Sequence, residues 1–309
     1  MPVYRADLLG ASTCPGCWCR DRLPRYPSDL TDAQWEVLRP HAEQVMDELR
    51  RAAGRPMVHQ LRAMVDAIAY VTRNGIEWRA LPVDFPPWQA VYAFFQRWNQ
   101  RGLPQQLTRR LRERLRTGLG RDAQPSAAIM DSQSVKAAET VAAASRGFDS
   151  GKKINGRKRH LAVDVEGFVL AVVVTAANVG DRLGAKHLVI GLLDAFTRLK
   201  LIWADSGYDG APLADWVRSV AGITVQVIKR TQAHTFKIVP RRWVVERTFG
   251  WLMRYRRLTR DHERRTEHHE AMVYWATVLI MTKRLARQQP TSPPTRQRWG
   301  QPRPAPAAA

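Results

Sequence analysis

The chain has 309 residues, 45% of them hydrophobic, which suffices for one or two folded units. Its formal charge is +21, and from Lys229 onward 18 bases stand against 5 acids, a net of +13 that attracts polyanions, phosphate backbones foremost. No run of about 18 apolar residues marks a spanning helix, and no basic segment followed by an apolar core opens the chain, so a cytoplasmic location with no membrane partner is expected.

Residues 1–27 show no periodicity and read as a poorly ordered extension. Cys14, Cys17 and Cys19 lie there in CPGCWC, with no nearby fourth ligand to complete a local zinc site, and read as reduced thiols. Thr31 and Gln34 have capping-box spacing, and Trp35, Leu38 and Ala42 then recur at helical intervals until Gly54-Arg55-Pro56 breaks the pattern. Leu61, Met64, Val65, Ile68 and Ala69 mark a second helix with a stop at Asn74-Gly75. Pro86-Pro87 introduces a third, WQAVYAFFQRWNQRG, ending near Gly102, and LTRRLRERLRTGL is a fourth and very basic one. Residues 28–122 therefore predict a small all-α domain with arginines on its outer faces, a shape shared by helix-turn-helix readers of DNA and by many other small bundles.

Beyond Pro125 the pattern changes. AAIMDSQSV, HLAVDV and FVLAVVVTA are apolar and β-branched and read as strands, with Lys136 to Arg159 a loop between the first two. GAKHLVIGLLDAF reads as a helix, LKLIWAD as a strand, PLADWVRSVAG as a helix and ITVQVIK as a strand. Two more helices, RRWVVERTFGWLMRYRR and EHHEAMVYWATVLIMTKRLAR, close a unit spanning 126–287. The class is α/β, a mixed sheet flanked by helices. Residues 288–309 are rich in Pro and Arg and read as a disordered tail.

Open sheets place ligands where strands end, so acids on apolar strands are the candidates. Asp131 follows AAIM and Asp205 follows LIWA. Asp164 sits beside Glu166-Gly167 and reads as hairpin-turn chemistry. Glu246 is the single acid among six arginines in RRWVVERTFGWLMRYRR. On that helix Val245, Phe249 and Leu252 form a core-facing seam, Glu246 borders it, and Arg242, Arg247, Arg254 and Arg257 spread around it. An ion pair with Arg242 or Arg247 accounts for Glu246 as readily as a metal site does. Three converging carboxylates would suit two Mg2+ ions, which take oxygen ligands and act on phosphodiesters from about 3.5–4 Å apart.

YPSDLTDAQWEVL, GIEWRALPVDFPPW, MDSQSVKAAE, NGRKRHLAVDVEG, ANVGDRLGAKHL, ADSGYDG and RRWVVERTFGWLMRYRRLTRDHE resemble, in order, DDE transposases of bacterial insertion sequences, in the insertion sequence five family. The resemblance spans residues 26–285. It implies a ribonuclease-H-like catalytic domain with Asp131, Asp205 and Glu246 as catalytic residues and ligands to two Mg2+ ions, Mn2+ being an alternative. It also implies terminal inverted repeats and target DNA as partners, a homodimer or larger assembly on DNA, and a nucleoid-associated location. The implied reaction nicks transposon ends and joins the 3′ hydroxyls to target DNA. Against a related tyrosine-arginine-glutamate-lysine signature, Arg242 is in place, Val239 stands for the tyrosine and Met253 for the lysine, with Arg254 and Arg257 nearby. Forty residues separate Asp205 from Glu246, too few for the β insertion of some relatives. Lys158 and Arg159 are further candidates for backbone phosphate. Trp243 and Trp251 read as packing or as base-stacking platforms. His160, His268 and His269 read as structural, and Tyr208 as a support of the site. The alternative is a catalytically inactive, repurposed DNA-binding regulator derived from a transposase; a nuclease that does not join strands would share the same acids.

Overall fold

A computed structural model describes residues 22, 24–48, 59–228 and 242–288. The three cysteines, the Gly54-Arg55-Pro56 break, Val239, the tail from 289 and the side chain of Arg242 lie outside the described residues.

Helix α1 (Asp32–Glu48) starts with a reciprocal box: Thr31 N donates to Gln34 Oε1 and Gln34 N to Thr31 Oγ1, both at 3.2 Å. Helix α2 (Leu61–Asn74) ends at Gly75, whose φ of 72° suits the N–H bond back to Val71 O. A side chain there would also meet Arg256 Cβ at 3.0 Å, so the glycine allows α2 to approach the far end of the chain. Helix α3 (Trp88–Gln100) follows the two prolines as expected. Helix α4 (Leu103–Gly118) begins four residues before the expected LTRR, because Gly102 turns the chain at φ 71° and Pro104 is accepted in the first turn.

Among the described residues six strands follow: β1 (Ala127–Lys136), β2 (Gly147–Asp149), β3 (Ile154–Val163), β4 (Val169–Ala176), β5 (Leu201–Ala204) and β6 (Thr224–Val227). Their order is β2-β3-β1-β5-β6, with β4 also paired to β3. β3 runs antiparallel to β1, β2 and β4, whereas β1, β5 and β6 are mutually parallel. The expected loop from Lys136 to Arg159 is thus corrected: it contains β2 and the first part of β3. Its Ala, Ser, Gly and Lys content gave it a loop's composition, yet Arg157, Lys158 and Arg159 are buried in a strand paired on both edges. The Asp164 turn is as expected, with Asp164 Oδ1 accepting from Glu166 N and Phe168 N and Gly167 at φ 82°.

Helices α5 (Asp181–Leu193) and α6 (Ala211–Ala221) cover one face of the sheet, burying Leu188 and Val217 with Ala128, Met130 and Ile202. On the other face Ile129, Leu161 and Trp203 share a core with α7 (Arg242–Leu252) and α9 (Thr266–Gln288), the four-residue α8 (Arg256–Thr259) lying between those helices in sequence. This is the mixed α/β sheet flanked by helices that the resemblance implies, preceded by a helical region. That same core continues into α1–α4: α9 packs on all four, and Trp275, wholly buried, lies 5.9 Å from Trp98 of α3. The change of pattern near residues 122–126 separates types of secondary structure, not hydrophobic cores.

Two arginines of α4 correct the expectation of outward bases. Arg112 is buried with Nη1 3.0 Å from Val169 O, and Arg116 is buried against Asp164 at 2.5 Å. At the end of the expected loose extension, Arg22 pairs with Asp29 at 2.7 Å and lies 3.8 Å over the Phe85 ring, fixing that segment to the helices. No helix among the described residues is long and apolar enough to cross a membrane.

Candidate active site

Strands β1 and β5 pair in parallel register, Ile129 opposite Trp203, so two residues further on Asp131 stands level with Asp205. By the two-residue period of extended backbone both acids share the face of Ile129 and Trp203, the face covered by α7. Asp131 is therefore not at the end of its own strand; it still pairs with Leu161 of β3, but it lies where β1 has run past β5. Both carboxylates are half-buried and each has a backbone donor: Ser132 N to Asp131 Oδ1 at 2.7 Å, and Gly207 N to Asp205 Oδ1 at 2.9 Å. The second bond caps the short turn Ser206–Tyr208.

On α7 the expected seam is present, with Val245, Phe249 and Leu252 buried and Glu246 exposed at its border. The helix packs across β1 and β3 and is pinned to the β3–β4 turn by Thr248 Oγ1 to Gly167 O and Arg247 Nη2 to Glu166 O, both 2.9 Å. The short α8 that follows it is tied to the sheet by Arg159, which donates to Gln133 Oε1 and, at 3.1 Å, to Leu258 O. Among the described residues no three His, Cys, Asp or Glu side chains converge closely enough to hold a metal ion as they stand. Two aspartates thus stand level on neighbouring strands and Glu246 stands on the helix packed over that face, short of a closed cage.

The bases divide sharply. Arg159 is fully buried, and burial lowers its pKa to about 10. Arg257 is buried with Nε 2.6 Å from Glu263 Oε1 and Nη1 2.8 Å from Ile76 O. Lys158 is buried with Nζ 3.0 Å from Val179 O and 3.1 Å from Asp181 Oδ1. These three were expected on DNA; their donors are instead committed inside the fold, which leaves no fork for a phosphate. Arg247 is part-buried, its guanidinium 4.4 Å over Trp243 and 4.6 Å over Trp251, while Arg284 lies 4.1 Å over Trp251. The tryptophans are accordingly stacked on arginines, with Trp243 still 40% exposed. Arg254 is exposed, and it neighbours Lys283, whose pKa is lowered by partial burial and then by Arg287, Arg73 and Arg254. Of the histidines, His160 is buried against Thr175 and His269 pairs with Asp261 at 3.0 Å, both structural as expected.

Tyr208 is buried beside the aspartates, and burial together with the charges of Asp131, Asp181 and Asp205 raises its phenol well above the usual range. Asp181 and Ser132 were not among the residues the sequence singled out. Asp181 follows a glycine and opens a helix, where an acid reads as an ordinary first-turn residue.

Residues 122–281, more than half of the chain, match the family model described as "Transposase DDE domain". Residues 30–108 match the model described as "Putative transposase of IS4/5 family". A Burkholderia cepacia protein named "Putative transposase for insertion sequence element IS402" is 34% identical over 143 residues, 43% of this chain and 65% of that protein. The match therefore spans less than two thirds of the relative's length.

Proposed function

The chain belongs to the transposase DDE domain family, and from that premise we propose that it nicks DNA at the ends of an insertion element and joins the freed 3′ hydroxyls to target DNA. The proposed catalytic residues are Asp131, Asp205 and Glu246, as carboxylate ligands to two Mg2+ ions, with Mn2+ able to substitute. The level placement of Asp131 and Asp205 on parallel β1 and β5, with α7 on the same face, is the observation that carries this reading.

The residues present fit a small hard cation. The donors are carboxylate oxygens, and beside Asp205 a glycine keeps space open: a Cβ on Gly207 would come within 3.1 Å of Asp205 Oδ1. When bound, the cations would supply Lewis acidity to the attacking and leaving oxygens of a phosphodiester. The chain's own part is to orient and to balance charge. The N–H groups of Ser132 and Gly207 fix the two aspartates. Tyr208 is buried beside them and supports that end of the sheet. Arg247 and Arg254 bring positive charge to the helix of Glu246, suited to the phosphates of the cut strand. On this reading the partners are the element's terminal repeats and target DNA, met by a homodimer or larger assembly close to the nucleoid.

Incubation with Mg2+ and a duplex carrying the element's own ends tests the proposal. End cleavage followed by a joined product supports it. Cleavage without joining would mean a metal-dependent nuclease, and salt-sensitive binding without cleavage a DNA-binding regulator.

A further inference from the structure

We propose that the exposed ring of Phe148, with Arg260 and Arg264 beside it, forms a further contact for the duplex being cut, about six nucleotides from the reacting phosphate. The inference rests on the function proposed above and adds a surface remote from the acids.

Phe148 is the middle residue of β2, opposite Asn155 of β3, and is 56% exposed. Asp131 stands opposite Leu161 on that same β3. Asn155 and Leu161 are an even number of positions apart, so Phe148 and Asp131 share one face of the sheet. At about 3.3 Å per residue they are about 20 Å apart along the strand. The chain after α8 lies on this face. Arg157, two residues beyond Asn155, donates to Asp261 Oδ2 at 2.9 Å and to the carbonyls of Glu263 at 2.8 Å and Arg264 at 3.1 Å. Arg260 has Nε 3.3 Å from Ala137 O, and Ala137 N in turn donates to Asn155 O. Both arginines are thereby set beside the row that ends in Phe148, and both side chains are exposed.

The ring is held out on a fixed strand. A Cβ on Gly147 would lie 1.9 Å from Asn178 Oδ1, and one on Gly156 would lie 2.0 Å from Val135 O, so β2 and β3 are seated closely. Asp149, next to the ring, accepts from Ser134 Oγ at 2.5 Å and from Lys152 N at 3.1 Å. Arg157 holds Ser145 through its carbonyl at 3.0 Å and its Oγ at 2.7 Å. The surroundings select the partner. In residues 136–148 and 259–265 the exposed charged side chains are four bases, Lys136, Arg260, Arg264 and Arg265, against one acid, Glu139. Asp261 and Glu263 are buried on Arg157 and Arg257, and Asp149 is turned to the opposite face, toward Ser134 and Lys158. An aromatic ring among cations fits the bases and sugars of DNA while the arginines take its phosphates. Phosphates repeat about every 3.4 Å along one strand, so about 20 Å corresponds to about six nucleotides.

Photo-crosslinking on the full chain tests this. Phe148→p-benzoylphenylalanine, irradiated with a labelled duplex carrying the element's own ends, should link to a nucleotide about six positions from the cut. Phe148→Ala should weaken binding of that duplex by about tenfold, as for loss of one aromatic contact, with an unchanged salt dependence, and Phe148→Trp should keep the affinity. Arg264→Ala should instead flatten the dependence of log K on log salt by about 0.9. Both side chains are exposed, so neither alanine variant should shift the melting temperature. A crosslink to a second copy of the chain, to added target DNA alone or to no DNA overturns the inference, as does unchanged affinity in both Phe148→Ala and Arg264→Ala. Cleavage of the ends by the unaltered protein in any of those cases leaves the proposed function standing. If the unaltered protein neither binds nor cuts the ends, both fall.

Discussion

Met253 Sδ lies 3.0 Å from Arg159 Nη2, so the residue at the lysine position of the related signature is turned inward onto a buried guanidinium. Arg159 also holds Gln133, two residues beyond Asp131 on β1, and the carbonyl of Leu258 on α8. One side chain thereby links the strand of Asp131 to the far end of the helix that carries Glu246. Arg159→Lys keeps the charge but has no fork to span these partners. It should lower stability by about 1–3 kcal/mol, as expected when buried acceptors lose a charged donor. End cleavage should fall at least about tenfold, the cost of misplacing a reacting group, while DNA affinity stays near that of the unaltered protein. Paired thermal melts, filter binding and cleavage assays on one preparation check this.

The buried and exposed arginines that follow α7 should respond in opposite ways. Arg254→Glu, on the exposed cluster with Arg73, Lys283 and Arg287, should weaken DNA binding. It should also flatten the dependence of log K on log salt, by about 0.9 for each phosphate no longer neutralised. Its melting temperature should not move. Arg257→Ala removes the buried partner of Glu263 and the donor to Ile76 O, so it should cost about 3–5 kcal/mol of stability. A loss of DNA affinity in Arg257→Ala without a loss of stability would reverse these assignments.

A shared core makes the helical region and the sheet unfold together. The chain should show one cooperative transition by circular dichroism and by tryptophan fluorescence, with coincident midpoints. Trp275→Ala, at the junction of α9 with α3, should destabilise by about 3–5 kcal/mol and shift both probes equally. Two separated transitions would mean that residues 28–122 fold as an independent unit.

Glu270 on α9 accepts from Val174 N at the edge of β4, and burial raises its pKa to about 7 from a usual value near 4.5. A carboxyl with a raised folded pKa binds its proton more tightly when folded, so the folded state is favoured at low pH. That advantage is complete below about pH 4.5 and is lost as pH rises through about 7. Glu270→Gln should therefore stabilise the protein at pH 8, by on the order of 1–3 kcal/mol, with little gain at pH 5. Urea titrations at the two pH values measure the difference.

What was legible in the sequence is what is local. The Thr31–Gln34 box, the Gly75 stop and the Asp164 turn are made by residues within a few positions of one another, and each forms as its chemistry dictates. The seam of α7 was equally plain, because helical period alone sorts Val245, Phe249 and Leu252 from Glu246. What stayed hidden depends on partners distant in sequence. Arg157 and Arg159 looked like loop residues because Asp261 and Gln133, which take up their donors, lie far along the chain. Arg112 and Arg116 looked outward for the same reason, their acceptors being on the β3–β4 hairpin. Asp131 and Asp205 could be picked out as acids on apolar strands, whereas their common level follows from β1–β5 register, which no local pattern encodes. Asp181 was hidden by looking like an ordinary helix start.

The account depends most on Glu246 acting with Asp131 and Asp205 as a metal-holding set, and strand cleavage by Glu246→Gln tests it most directly. The measurement is end cleavage in Mg2+ on a duplex carrying the element's ends, with DNA binding determined alongside. Glu246→Gln should bind that duplex as tightly as the unaltered protein and lose cleavage by at least about a thousandfold, an order typical of removing one member of a catalytic set. Cleavage by Glu246→Gln at the unaltered rate, with DNA binding intact, would contradict it.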